Sequence, residues 1–454
     1  MVNGKKGGAA RACPTMGGEL DLFNVATQNV QHVRTYESIH NNEVSQVIDN
    51  GMMIFRLDES PNWHAFDRSF FVIELKVLKA DDSPLGDGGM TSIVDNVGHS
   101  LLKQIDFYVN GERLYAMERH DFCFYIQQRL TLAADALKTW PQLHAHYEDT
   151  HQHFNTFNDT SNSGFKDRRG MIKQGRTVRL YVRPSCFPFN QPRLFPAFVN
   201  KHFVITRNTD DFLLLGDAGA PTDGVKIKLE NIYLKMENIE LLESVHSEMT
   251  RNLKVSVGAR YPFSMPKFQC YHIPKDTLDW DIGQHALCLP SMPEHILFSL
   301  VTEKAYLGDR QENPFRMAHH KVSNFQVTIN ENDYFPKGGL KTDFAHGDYG
   351  ELYLNLLRDL GYFQNMQTGP SLTYREFDND QVFWSIHVAN KFPQAINGEM
   401  PRHHLNVTIR FAEKLKEHVR LICYPIHQNE IRIKEIQPGV IQGFEMARER
   451  PMDF

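Results

Sequence analysis

No two of the six cysteines lie close together: Cys13, Cys123, Cys186, Cys270, Cys288 and Cys423 are scattered along 454 residues. That scatter excludes a CxxC motif and reads as reduced thiols in an intracellular protein. No stretch approaches the roughly 20 consecutive apolar residues that a membrane helix needs. The first residues lack the apolar core of a secretory signal, so the chain is expected to be made inside the cell and not exported by a signal peptide. The net charge of −6 leaves no overall basic field to hold nucleic acid. Walker loops and GxSxG elbows are missing too, and the carboxylates form no evident acid/base pair.

What is present is an ordinary globular composition, 41% hydrophobic and 23% charged, in a chain long enough for two domains. Residues 1–18 are rich in Gly and Ala and carry Lys5, Lys6 and Arg11 with no acid before Glu19. They are expected to form a flexible arm. From there strand signals dominate. In "FVIELKVL", Ile73, Leu75 and Val77 alternate with Glu74 and Lys76, the pattern of a half-buried strand. In "VKIKLENIYLKMENIEL" the apolar parity switches between Leu229 and Ile232, which predicts a bulge near Glu230-Asn231. "DFLLL" reads as a further strand.

Helical spacing occurs in two places. Phe122, Ile126, Leu130, Ala133 and Leu137 predict a helix within Met117 to Leu137, and Tyr353, Leu356, Leu357 and Leu360 one within Glu351 to Leu360. Isolated helices among many short strands indicate an all-β sandwich class.

The order of elements repeats. "DFYVNGERL" and "NFQVTINENDYF" are both strands that end at Asn, and a helical pattern soon follows each. Asn110 and Asn330 are 330 − 110 = 220 positions apart, whereas Val204 of "HFVITR" and Val407 of "LNVTIR" pair at 407 − 204 = 203. A longer insertion in the first half accounts for the drift. Two tandem β-sandwiches of one design follow, 19–243 and 244–454, each compatible with a jelly roll.

The blocks "VDNVGHSLLKQIDFYVNGERL", "QPRLFP", "LPSMPEHILFSLV", "ENPFRM" and "VRLICYPIHQNEIRI" resemble the double jelly-roll major capsid proteins of Polinton/Maverick elements and related viruses, the adenovirus-hexon-like lineage. The resemblance runs from about Glu19 onward. The second copy departs from it with Asn330-Glu331 in place of an Asn-Gly turn. What the resemblance implies is a structural, non-enzymatic protein of the virion. Homotrimers would bring six barrels into a pseudo-hexagonal unit, and trimers would tile an icosahedral shell around a DNA genome. Implied partners are neighbouring trimers, a penton or minor capsid protein, and weak DNA contact through Lys5, Lys6 and Arg11. The alternatives are a tandem jelly-roll hydrolase or carbohydrate-binding protein, and a domesticated cellular descendant of the capsid protein.

Against that reading stands "HAHYEDTHQHF", with His144, His146, His151 and His153 as potential imidazole ligands. A metal-binding jelly roll would carry its His-x-His on a strand with a Glu several residues on, but Glu148 follows His146 too closely. The segment from His144 to Gly170 is expected to be a solvated, pH-sensitive loop. His319-His320 and His403-His404 are adjacent pairs, which on a strand face opposite ways. The basic run Lys166, Arg168, Arg169, Lys173, Arg176 and Arg179 reads as a solvated loop and strand edge. Asn313-Pro314-Phe315, an endocytic-type tripeptide, reads as a structural loop. No catalytic, cofactor-binding or metal-ligating residue is assigned.

Overall fold

The computed structural model describes residues 32–433 and 444–446, except 46, 48–49, 87–89, 217–223, 256–257, 284–286, 289–292, 330, 364, 366–367, 379 and 389–403. The arm at 1–18, Asn330 and His403 lie outside the described residues.

Eight main strands of the first half sort into two sheets. The first (His32–Asn41), eighth (Val225–Leu241), third (Trp63–Lys79) and sixth (Val178–Val182) make one, in that spatial order. The second (Met52–Leu57), seventh (Lys201–Arg207), fourth (Leu102–Val109) and fifth (Glu112–Glu118) make the other. The second half repeats the order. Ala259–Pro266, Val419–Ile433, His295–Thr302 and Trp384–His387 form one sheet; Asp279–Asp281, His404–Phe411, Val322–Ile329 and Asn332–Asp333 form the other. This arrangement of Greek keys is the jelly roll, and the all-β, tandem expectation holds. Every strand up to Leu241 pairs within the first half, and every described strand from Ala259 on pairs within the second. The helix Glu243–Val255 stands between them. No helix among the described residues is long and apolar enough to cross a membrane.

The alternation seen in the sequence places the core. Ile73, Leu75 and Val77 are buried on one face of their strand, while Glu74 and Lys76 pair outward with Arg179 and Glu230. The expected bulge is present: Leu75 opposes Leu229 and Glu74 opposes Asn231, so Glu230 is the extra residue.

Three local expectations need correction. "DFLLL" is not one strand, because Asp210–Leu213 is a helical turn before the strand Leu214–Gly216. The first helix is shorter than its periodicity suggests: Met117 belongs to a strand, His120–Thr131 is helical, and Leu132 is extended before a separate turn Ala134–Leu137. The pairing of Val204 with Val407 is off by one. Phe107 opposes Phe203 and Val327 opposes Val407 across the equivalent ladders, which sets the offset at 407 − 203 = 204. Val204 lies on the outer face and Val407 is fully buried, because a one-residue slip exchanges the faces of a strand. The two helices do occupy the same loop, between the fifth and sixth strands of each barrel.

The repeated hairpin shows how sequence sets local geometry. Asn110 (φ 50) and Gly111 (φ 85) join Val109 to Glu112 in a two-residue turn that needs positive φ at both positions. The second copy forces Glu331 to φ 68 without the freedom of glycine. Left-handed geometry costs an L-residue about 1–2 kcal/mol. Gly111→Ala is therefore expected to destabilise the protein by about 1 kcal/mol and Glu331→Gly to stabilise it by a similar amount, read as opposite shifts of the urea midpoint. Shifts of the same sign would refute the shared-turn account.

Candidate functional site at the seam between the barrels

Between the fifth and sixth strands of the first barrel the chain makes a long excursion, and this excursion joins the barrels. It is not the solvated loop expected from its His and Asn content. Trp140–His144 is a 3-10 turn, Ser163–Ile172 is a helix, and His144, His146, Asp149, Asn162, Arg168 and Arg169 are buried. Asn162 caps the helix by accepting from the N–H of Phe165 at 3.2 Å. Gly164 is required because a Cβ there would overlap the carbonyls of Tyr147 and Glu148.

At the centre lies Asp149. Its Oδ1 accepts from Arg168 Nη2 at 2.6 Å and Asn162 Nδ2 at 2.9 Å, and its Oδ2 accepts from Asn313 Nδ2 at 2.8 Å. Burial pushes the Asp149 carboxyl above its ordinary range, although Arg168 and Asn162 oppose the shift. Arg168 also donates to the carbonyls of Ile93 and Tyr147. Nearby, Asp95 accepts from His146 Nδ1 at 2.9 Å and from the N–H of Tyr147 at 2.9 Å. Burial opposes its ionisation too, yet His146, Arg168 and that N–H outweigh burial and hold the carboxyl below its ordinary range.

Asn313 belongs to the second half, so its bond to Asp149 crosses the seam. Its own N–H donates to Asn155 Oδ1 at 2.8 Å. Asp380 adds a second crossing: it accepts from the N–H of Gln152 at 2.6 Å while Arg316 Nε holds its other oxygen at 2.9 Å. Ser371 adds a third, donating to the carbonyls of Leu132 and Arg129. Rings fill the space between. Tyr125 stacks on Phe315 at 4.2 Å, and Arg119 lies over Phe122 and Tyr306 at 4.6 and 4.5 Å.

The basic run also divides. Arg168 and Arg169 are buried and paired, Arg169 with Asp159, whereas Lys166, Arg176 and Arg179 are exposed. Asn313 and Phe315 are fully buried, so the Asn-Pro-Phe tripeptide is a seam element. His319 stacks on Phe344 at 4.1 Å, and burial lowers His320 to about 3. His151 and His153 are half-buried. Among the described residues, the cluster with metal-ligand spacing is His272, Glu303 and His418, which sequence reasoning passed over because the three lie far apart in the chain. The Asn162-Ser163 cap ahead of Phe165 and Ile172 was a readable signal for the missed helix.

A second buried group flanks the seam. His99 Nδ1 lies 3.2 Å from His120 Nε2, and the His144 ring is 4.5 Å from that of His99. Burial lowers His120 and His144 to about 3, with His146 adding to the effect on His144.

No family model matches the chain, and no curated protein does either. Solved structures do. A chain of the Sputnik virophage structure superposes with a TM-score of 0.64 at 12% identity, covering 96% of this chain and 94% of that one. The PBCV-1 virus capsid gives 0.57 at 12% identity (94% and 100%), and the mavirus major capsid protein 0.54 at 9% identity (97% and 96%). The fold is thus the double jelly roll of viral major capsid proteins. The chain spans nearly the full length of each of these neighbours, with both barrels included.

Two outcomes follow from this geometry. Asn313→Ala leaves the buried Asp149 short of a donor and should cost about 1–3 kcal/mol, lowering the calorimetric melting temperature, whereas exposed Lys166→Ala should not. For the histidines, the unfolded chain takes up protons below pH 6.5 that the folded cluster refuses until about pH 3. Stability is therefore full above pH 6.5 and lost as pH falls towards 3, by about 1.4 kcal/mol per unit for each such histidine. Urea midpoints should fall across this window, less steeply in His144→Leu.

Proposed function

We propose that this chain is a structural, non-enzymatic major capsid protein of the Polinton/Maverick type. In this reading the first barrel spans 19–243 and the second 244–454, three chains close into a pseudo-hexagonal homotrimer, and trimers tile an icosahedral shell around a DNA genome in the virion. The observation that carries it is the identical strand order of two jelly rolls in one chain, over a length that solved capsid chains share.

The physical logic supports three copies. Two comparable barrels per chain give six around a threefold axis, which fits a hexagonal lattice; a dimer gives four and a tetramer eight. The barrels also expose different apolar side chains. On the first, Trp140, Leu143 and Tyr181 are 46%, 52% and 38% exposed and, with Phe70, line a groove of about 490 Å³. On the second, Leu354 lies on the helix Gly350–Asp359, and Phe363 and Tyr374 are exposed beside it. Two unlike patches suit a head-to-tail ring, in which each subunit offers one to each neighbour. Contacts of this obligate kind bury on the order of 2,000 Å² or more. The arm at 1–18, with Lys5, Lys6 and Arg11, would face the genome or a neighbour, and a penton or minor capsid protein would close the vertices.

Light scattering on purified protein should give about three times the 52.5 kDa chain mass, and electron microscopy should show threefold particles or shells. Leu143→Asp should shift the mass towards one chain. A stable monomer at micromolar concentration, indifferent to salt and to Leu143→Asp, would reject the capsid reading and favour a domesticated or carbohydrate-binding protein.

A further inference from the structure

We propose that His272, Glu303 and His418 form a binding site for a borderline divalent transition-metal ion such as Zn2+, at one end of the second barrel. The site stands independently of the shell-forming role.

The sheet ladder brings the three residues together. His272 lies in the strand Gln269–Ile273 and opposes Arg420. Thr302, at the end of the strand His295–Thr302, opposes Val419. His418 immediately precedes Val419, and Glu303 immediately follows Thr302. The ligands thus leave one end of three adjacent strands, spaced by about 4.8 Å per strand. Glu303 is fixed further. Its N–H donates to the His418 carbonyl at 2.9 Å, and it opens a short helix, Glu303–Leu307, capped by Thr302.

The donor atoms are close to the required geometry. One nitrogen from each imidazole and one carboxylate oxygen all lie within 4.8 Å of one another. A tetrahedral Zn2+ with bonds of 2.0–2.2 Å needs its ligand atoms roughly 3.3 Å apart. His272 Nδ1 and Glu303 Oε1 are already 3.2 Å apart, and the His272 and His418 rings face each other at 5.1 Å and 27°. In the metal-free chain the His272–Glu303 pair already stands at the spacing an ion would impose. Small side-chain rotations suffice, and the 42% exposure of the His272 side chain leaves an entry path.

Two neighbours bear on the ion. Arg420 Nη2 donates to Glu303 Oε1 at 2.6 Å, which orients the carboxylate and leaves the second lone pair of that oxygen free to ligate beside His272. Its charge also weakens cation binding, so the site is expected to be weaker than a closed structural zinc site. The N–H of Lys275 donates to His418 Nδ1 at 3.3 Å. An imidazole bound through Nε2 carries its proton on Nδ1, so loading the ion gives up that long contact. Two imidazoles and one carboxylate suit Zn2+, Ni2+ or Cu2+ over Mg2+ or Ca2+, and three protein ligands leave a coordination position open.

The consequence reaches the seam. The helix that begins at Glu303 ends at Gly308, which packs against the Phe212 backbone of the first barrel. Two residues on, Arg310 donates to Asp211 at 2.7 Å, and its carbonyl accepts from the N–H of Gly216 at 2.8 Å. An ion would tie the ends of the second barrel's strands to the segment that touches the first.

The test uses the full chain purified without a His tag and stripped with a chelator. Calorimetric titration with ZnCl2 should show one saturable site per chain, weakened at least tenfold in His272→Ala and in His418→Ala but unchanged in His346→Ala, an exposed histidine elsewhere. Zn2+ should also raise the melting temperature of the unmutated chain but not of the His272→Ala/His418→Ala double variant. Co2+ bound to the unmutated chain should give the intense visible absorption of a tetrahedral or five-coordinate N/O site, a reading that does not depend on the variants folding. Absence of saturable Zn2+ binding, equal affinity in the double variant, or the weak spectrum of the hexaaquo ion would each overturn the proposal.

Discussion

A single buried carboxylate sets the relation between the barrels. Asp149 is almost fully removed from water, and an uncompensated charge there would be costly by several kcal/mol. It is tolerated because Arg168, Asn162 and Asn313 converge on it from the helix Ser163–Ile172, the residue capping that helix, and the second half of the chain. Each donor requires its own segment to be in place. The excursion must fold back on the first barrel to deliver Arg168, and the second barrel must dock to deliver Asn313. The carboxylate therefore acts less as a source of net stability than as a condition on geometry: only one arrangement of the barrels satisfies it.

Around this condition the seam is apolar. Phe315 lies against Tyr125 and Phe122, Phe263 against Tyr115 and Phe187, and Tyr261 against Phe195. Arg119 joins these rings with its guanidinium over three aromatic faces. Hydrophobic contact is non-directional; the polar bonds at Asp149 and Asp380 give it a register. In the proposed ring of identical copies that rigidity would matter, because a small rotation between barrels grows into a large displacement across the ring.

Histidine serves different ends in different places. His99, His120 and His144 are enclosed and held neutral, so they behave as packing elements with an acid-sensitive cost. His272 and His418 sit at exposed strand ends, where their rings remain accessible. Sequence shows 22 histidines without distinction; burial and the ladder separate them.

The sequence by itself determined the class of the fold. Period-two alternation, the Asn-Gly turn, the parity switch at Glu230 and the repeated order of elements are local signals, and local sterics translate them directly into strands, a hairpin, a bulge and a duplication. It did not determine what the His- and Asn-rich excursion does, because polar residues mark either a solvated loop or a satisfied buried network. Their composition is the same and only their partners differ. Asp149 meets Asn313 across 164 positions, and His272 meets Glu303 and His418 only because three strands end side by side. Such encounters are fixed by how two sheets and two barrels pack, a property of the whole chain that no local window contains.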